Sequence, residues 1–244
     1  MSERERLDRA LEARGLVPSR ARASDAIKRG VVTVNGITAR KAGQQVAHDD
    51  VIAISDPVGG YVSRAALKLV AGLDGAGFDP KGKVCLDLGA STGGFSQVLA
   101  QRGAEKIYAV DVGHGQLHPD IAALPNVVSL EGTNARDLDE ALVPEPIDML
   151  VCDVSFVSLA KVISPPSKLC KLGAEAVLLI KPQFEVGRDF IGKGGIVIEG
   201  SHVDAAVQAV IDHMAQLGWT LVMRLPSPLT GGNGNMEYIA AFRL

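Results

Sequence analysis

Asp87-Leu88-Gly89-Ala90-Ser91-Thr92-Gly93-Gly94-Phe95 directly follows the apolar run Val84 to Leu88 and leads into a helical segment. A glycine-rich turn at such a junction is where an α/β sheet lets its backbone hug a ligand. The spacing departs from the G-x-G-x-x-G pattern that cradles a dinucleotide pyrophosphate, because Gly89 is followed only at Gly93 and Gly94. Asp111 closes the next strand, 22 residues beyond Gly89, where a carboxylate accepts hydrogen bonds from ribose hydroxyls. Loop and acid together fit S-adenosylmethionine better than a nicotinamide dinucleotide, since the former has no phosphates that need a helix N-terminus. The cofactor-contact set is therefore Asp87, Gly89, Ser91, Thr92, Gly93, Gly94, Phe95 and Asp111. Asn134 joins it, although it and Asp137 read either as neighbours of the adenine or as helix caps. A tight turn beside a solvated aspartate is the bland alternative.

Outward from this turn, apolar strands alternate with helical segments: Val84 to Leu88, Lys106 to Val110, Val127 to Leu130, Asp148 to Cys152, Ala176 to Lys181, Leu221 to Leu225 and Tyr238 to Arg243. Such alternation implies an α/β fold with a mostly parallel seven-stranded sheet wrapped by helices. Upstream, Asp56-Pro57-Val58-Gly59-Gly60 is rich in breakers, so the boundary is placed at residue 58, giving domains 1–58 and 59–244. The smaller domain reads as a helix over Glu5 to Arg14, a second helix begun by Pro18 and Ser19 and closed by Gly30, and a hairpin turning at Asn35-Gly36.

Charge divides unevenly. Residues 1 to 48 carry ten Lys and Arg against five Asp and Glu, or +5, within a chain of net charge −3. A basic module on a mildly acidic enzyme suits a polyanion partner. No apolar run approaches the length of a membrane span and the charged N-terminus lacks a signal-peptide core, so a cytoplasmic protein without membrane contact is expected. Cys85, Cys152 and Cys170 are widely spaced and read as thiols rather than disulfides. His114 and His118 beside Asp120 make a poor ligand set, so no metal is expected.

Asp153 follows the fourth strand of the larger domain and Lys181 closes the fifth, at the carboxyl ends where open sheets bind ligands. Lys68 lies in the helical stretch Val62 to Leu69, and Glu237 opens the last strand after a glycine-rich loop. Two amines and two carboxylates can thus converge on one crevice.

The chain resembles the TlyA (hemolysin A) family, which joins an S4-type RNA-binding domain to an FtsJ-like 2'-O-methyltransferase domain of the Rossmann-like class. The motifs are SRAxxxxxIxxG from Ser19, VNG from Val34, YVSRAALKL from Tyr61, DLGASTGGF from Asp87, DVGHGQL from Asp111, CDVSFVSL from Cys152, IKPQFEVGRDFIGKGG from Ile180 and SPLTGGNGNMEY from Ser227. The resemblance implies a catalytic tetrad of Lys68, Asp153, Lys181 and Glu237, S-adenosylmethionine as cofactor, ribosomal RNA or a ribosomal subunit as partner, and a cytidine ribose as acceptor. Ala65 and Ala66 stand where the family often has Gly-Gly, and the linker lacks an aromatic-rich tetrapeptide of some members. The chain stops directly after its last strand, like shorter members expected to modify only the large subunit.

A ribose 2'-hydroxyl attacks poorly until its proton is taken, which makes Lys181 a candidate base, helped by burial and by a second cation at Lys68. Asp153 would orient Lys181, and Glu237 would position Lys68 or the ribose. Alternatively both lysines stay charged and stabilise a developing alkoxide. Phe156 and Phe184 read either as stacking faces for a splayed base or as core. Arg6, Arg20, Arg22, Lys28 and Arg29 are the candidate phosphate contacts. A catalytically silent RNA-binding assembly factor is the competing reading, and a membrane-lytic protein finds neither a spanning helix nor barrel-like strands in its support.

Overall fold

The computed structural model describes residues 4–55, 59–198, 200–231 and 234–244. The chain divides into two compact units, Met1–Gly60 and Tyr61–Leu244. The boundary expected at residue 58 lies outside the described residues.

The first unit contains β1 (Arg4–Arg6), α1 (Leu7–Ala13), α2 (Arg20–Arg29), β2 (Val32–Val34), β3 (Ile37–Thr38), β4 (Gln45–Ala47) and β5 (Ile52–Ile54). Ser19 caps α2 by accepting the Arg22 N–H at 3.3 Å, and Gly30 closes it in the left-handed region at φ 74°. Asn35 and Gly36 adopt φ 51° and 78°, both positive as a two-residue hairpin turn requires, and pair Val34 with Ile37 across it. Leu7, Leu11, Ile27, Val32 and Val46 share one buried core. Two helices and a hairpin are not the whole unit: β5 joins β2 as a third strand, and β1 pairs with β4. The first helix consequently starts at Leu7, two residues later than expected, because Arg4–Arg6 is drawn into the β4 ladder. Strands of three residues have too little alternation to announce a partner some forty positions away.

The second unit contains α3 (Ala66–Ala76), β6 (Val84–Leu88), α4 (Gly94–Gln101), β7 (Lys106–Asp111), α5 (Pro119–Ala122), β8 (Val127–Glu131), β9 (Ile147–Cys152), α6 (Ser164–Lys168), β10 (Cys170–Ile180), α7 (Pro182–Glu185), α8 (Ser201–Gln216), β11 (Thr220–Pro226) and β12 (Tyr238–Arg243). Its seven strands run in the order β11-β12-β10-β9-β6-β7-β8. Five of them are parallel, whereas β12 is antiparallel to both β10 and β11. This is a Rossmann-like α/β sheet with one reversed strand.

Alternation inside β10 builds two cores at once. Leu178 and Ile180 pack with Val207 and Met214 of α8 on one face, while Val177 and Leu179 meet Leu69 and Leu73 of α3 and Leu99 of α4 on the other. A strand covered on both faces reads as a continuous apolar run, as this one does. Each fully buried leucine contributes about 2 to 3 kcal/mol. At Gly72 a Cβ would come within 2.6 Å of Val177 Cγ1, so glycine is what lets α3 lie this close to the sheet.

Two local expectations shift. The stretch from Val62 turns helical only at Ala66, and β10 begins at Cys170 and ends at Ile180, leaving Lys181 outside the strand as the cap of α7. Pro182 explains the second: it has no N–H for the ladder and restrains the residue before it to an extended conformation, observed at Lys181 as φ −113°, ψ 97°. All three thiols are free, Cys85 and Cys152 buried and Cys170 partly so, and burial pushes each up to about 12. They are packing groups, not thiolates.

Candidate active site

A cavity of about 520 Å³ opens at the carboxyl ends of β6, β7 and β9, lined by Gly89, Ser91, Asp111, Asn134, Asp153 and Phe156 among others. A smaller one of about 180 Å³ shares Gly89, Ser91 and Asp153 and adds Ser63, Thr92 and Lys181. The larger volume suits a nucleoside-sized ligand.

The turn after β6 is built so that this space stays open. Gly89 sits at φ 78°, and a Cβ there would stand 3.0 Å from the Val154 backbone, so a side chain would displace the segment that carries Asp153. Ser91, itself at φ 46°, donates its N–H to Asp111 Oδ2 at 2.8 Å, and the Gly113 N–H reaches Oδ1 at 2.8 Å. Both oxygens of Asp111 are thereby fixed at the rim of the larger cavity. Thr92, Gly94 and Phe95 line the smaller cavity. Gly93 lines neither; it faces Leu117 and Ile121, where a Cβ would come within 2.8 and 3.0 Å. Asn134 lines the larger cavity and also caps the short 3-10 turn Ala135–Asp137, accepting the Arg136 N–H at 3.0 Å.

Asp87 lies elsewhere. It lines neither cavity, is wholly buried, accepts the Ser96 hydroxyl at 2.7 Å, and its other oxygen has no hydrogen-bond partner among the described residues. Burial raises its carboxyl to about 7, with the charges of Asp153 and Asp111 adding to the effect. An unfolded aspartate ionises near pH 4, whereas this one stays neutral to about 7, so stability falls as pH rises through that window. Asp87→Asn removes the ionisation and should flatten a slope worth roughly 3 to 5 kcal/mol. Urea unfolding of both proteins at pH 4.5 and 8 measures it; parallel pH profiles would place the loss elsewhere.

The four tetrad residues form two ion pairs, Lys68–Glu237 buried on both sides and Lys181–Asp153 with its carboxylate partly exposed. Lys181 Nζ lies 2.7 Å from Asp153 Oδ1, donates to the Asp153 carbonyl oxygen at 3.1 Å and donates to Ser155 Oγ at 2.7 Å. The Asp153 Oδ1 contact is an ion pair without hydrogen-bond alignment. Lys68 Nζ is bonded to Glu237 Oε2, and each side chain is less than a tenth exposed. At Gly231 a Cβ would meet Glu237 Oε1 at 2.6 Å, so only glycine leaves room for that carboxylate. Sheet register relates the two pairs: Ile180 is paired with Tyr238, which makes Lys181 and Glu237 the next residues along one strand edge. Lys68 and Glu237 line neither cavity, whereas Asp153 lines both.

Ser155, two residues past Asp153, was not among the residues singled out, although it lines both cavities and touches Lys181. Its signal in the sequence was position alone, just beyond the carboxyl end of a strand. Phe156 is not core: it is 91% exposed, stands at φ 65° in the left-handed region, lines the larger cavity and packs against Phe184 at 5.3 Å between centroids. A bulky residue held there is backbone strain beside a cleft.

In the first unit Arg6 and Arg20 converge on Asp8, at 2.9 and 3.1 Å, and hold its buried carboxyl well below the usual range, Arg6 most strongly. Both arginine side chains remain about half exposed, at 45% and 48%. Arg29 pairs with Asp25 at 2.8 Å, Lys28 is exposed, and Arg22 is partly buried. His114 and His118 are exposed, and among the described residues no cluster of His, Cys, Asp or Glu could hold a metal. No described helix is long and apolar enough to cross a membrane.

The FtsJ-like methyltransferase profile matches residues 61–244, and the S4 domain profile matches residues 5–52. The 16S/23S rRNA (cytidine-2'-O)-methyltransferase TlyA of Mycobacterium tuberculosis is 41% identical over 244 residues, covering 100% of this chain and 91% of that protein. A solved structure of a candidate hemolysin from Streptococcus thermophilus superposes with a TM-score of 0.77 at 32% identity, over 100% of this chain and 89% of that one. A candidate S-adenosylmethionine-dependent methyltransferase from Listeria monocytogenes, at 13% identity and a TM-score of 0.54 over 72% of this chain and 99% of that one, shares the fold.

Proposed function

We propose, from the premise that this chain belongs to the TlyA (hemolysin A) family of FtsJ-like methyltransferases, that it methylates a cytidine 2'-hydroxyl of ribosomal RNA with S-adenosylmethionine as donor. One observation carries the reading: Asp153 lines both the nucleoside-sized cavity and the smaller polar one, and there it meets Lys181. Cofactor space and reaction groups therefore adjoin at Asp153, alongside Gly89, Ser91 and Ser155, which line both cavities as well. In this reading residues 1–58 grip RNA and 59–244 catalyse, and the ribosomal substrate makes the protein cytoplasmic.

The cavity fits the cofactor. Its apolar walls at Val110, Ala135, Val154 and Val162 suit an adenine, and Asp111 and Asn134 stand where ribose and base edges need polar partners. When bound, S-adenosylmethionine supplies a methyl group on a sulfonium.

The chain supplies the rest. Lys181 Nζ donates to the Asp153 carbonyl and to Ser155 Oγ, while Asp153 Oδ1 stands 2.7 Å away without hydrogen-bond alignment, so one of the three N–H donors of the ammonium stays available to a substrate oxygen. A lysine so engaged is a donor aimed at the oxygen that develops charge, so the arrangement favours electrostatic stabilisation of the alkoxide over proton abstraction by a free amine. Glu237 holds Lys68 as a second buried cation at the same sheet edge. Phe156, exposed at the cavity, offers a flat face to an unstacked base. Arg6, Arg20, Arg22, Lys28 and Arg29 add sequence-independent attraction to phosphates.

Incubation with S-adenosylmethionine labelled in its methyl group and undermethylated ribosomal subunits, followed by nucleoside mapping, tests the reading. Label on a ribose is expected; label confined to bases removes the 2'-O assignment, and intact binding without label favours the silent assembly factor.

A further inference from the structure

Glu131, the last residue of β8, lies outside both cavity linings, yet its carboxylate accepts three consecutive backbone N–H groups: Gly115 at 3.1 Å, Gln116 at 2.6 Å and Leu117 at 3.0 Å. Those donors belong to the loop that follows Asp111. Convergent N–H groups of this kind form an anion-binding nest, and here the anion comes from the chain itself. The loop they fix contributes Val112 and Gln116 to the wall of the larger cavity. Gln116 lines the cavity and its Oε1 accepts the Ser91 hydroxyl at 3.3 Å, while Leu117 packs behind the glycine turn at Gly93.

The same strand end is braced twice more, by the Gly132 N–H to the Gly113 carbonyl at 2.9 Å and the Thr133 N–H to the Asp111 carbonyl at 3.0 Å. Glu131 thus ties the end of β8 to a loop whose Gly113 N–H holds Oδ1 of Asp111 and whose Gln116 accepts the hydroxyl of Ser91, the residue that donates to Oδ2. The Leu117 N–H, followed by that of Gln116, holds its carboxyl below the usual glutamate range, so it is an anion wherever the enzyme works.

We infer that Glu131 is a positioning residue for cofactor binding: it preorganises the 113–117 loop so that Asp111 and Gln116 meet the nucleoside already in place. The inference rests on the cofactor reading above. A neutral amide cannot replace the carboxylate, because Gln offers one oxygen and turns N–H donors toward the remaining N–H groups of the nest. An open loop must then be ordered at the moment of binding, which reduces affinity in proportion to the closed population.

Two measurements on wild type, Glu131→Gln and Glu131→Asp separate the parts. Amide hydrogen exchange without ligand should accelerate at least tenfold at Gly115, Gln116 and Leu117 in Glu131→Gln, with the sheet amides unchanged. Calorimetric titration with S-adenosylmethionine should show Kd raised about 10- to 30-fold in the same variant with partial recovery in Glu131→Asp, and a methyl-transfer assay alongside it should give kcat at saturating cofactor within about threefold of wild type. Unchanged exchange overturns the clamp, whatever the titration shows. Faster exchange with an unchanged Kd overturns its role in binding. If wild type itself takes up no S-adenosylmethionine, the cofactor reading falls and takes this role with it, while the exchange result still reports on the clamp.

Discussion

Lys181→Ala should lower kcat for methyl transfer by about 10²- to 10³-fold while leaving the affinity for S-adenosylmethionine within a few fold of wild type. The expected split follows from geometry. Nζ contacts Asp153 and Ser155 beside the smaller cavity, and Lys181 is absent from the lining of the larger one. An interaction made with the oxygen that gains charge is realised in the transition state, so its loss appears in kcat and not in cofactor binding. Lys181→Arg discriminates between roles: it retains the positive charge but cannot act as a neutral amine, so activity clearly above that of the Ala variant supports electrostatic stabilisation. Single-turnover rates at saturating RNA measure both. Equal, complete loss in both variants, with folding intact, would restore the base assignment.

The second large effect concerns stability. Glu237→Ala leaves the Lys68 ammonium buried without its partner, and breaking a pair of this kind costs about 3 to 5 kcal/mol. The double replacement Lys68→Met with Glu237→Leu removes both charges and should regain most of that stability while remaining inactive. Denaturant midpoints and methyl-transfer assays on the same preparations test the pair together. A single Glu237→Ala variant as stable as wild type would mean that water reaches Lys68, contrary to its burial; an active double variant would take Lys68 and Glu237 out of catalysis.

Much of this was legible beforehand because it rests on short-range chemistry. Asn35-Gly36 can hardly be read as anything but a hairpin, Ser19 and Gly30 bracket a helix by the conformations they adopt, and a double-faced strand such as β10 shows itself as an unbroken apolar run. What escaped depends on partners far along the chain. The β1–β4 ladder joins residues some forty positions apart, and neither three-residue strand carries a pattern. Asp87 looked like a ligand contact because it opens the glycine turn, but a strand alternates its faces, and this position points beneath the turn toward Ser96. Ser155 and Glu131 act through contacts with Lys181 and with backbone amides, and no residue type advertises that.

The reversed direction of β12 has a consequence for assembly. Because it inserts between β10 and β11, the seven-stranded order is complete only once Tyr238–Arg243 has docked, and Glu237, the partner of Lys68, immediately precedes that strand. Docking of β12 and neutralisation of the buried Lys68 ammonium are therefore coupled. With β12 undocked, β10 would present an unpaired edge and Lys68 an ammonium without its carboxylate.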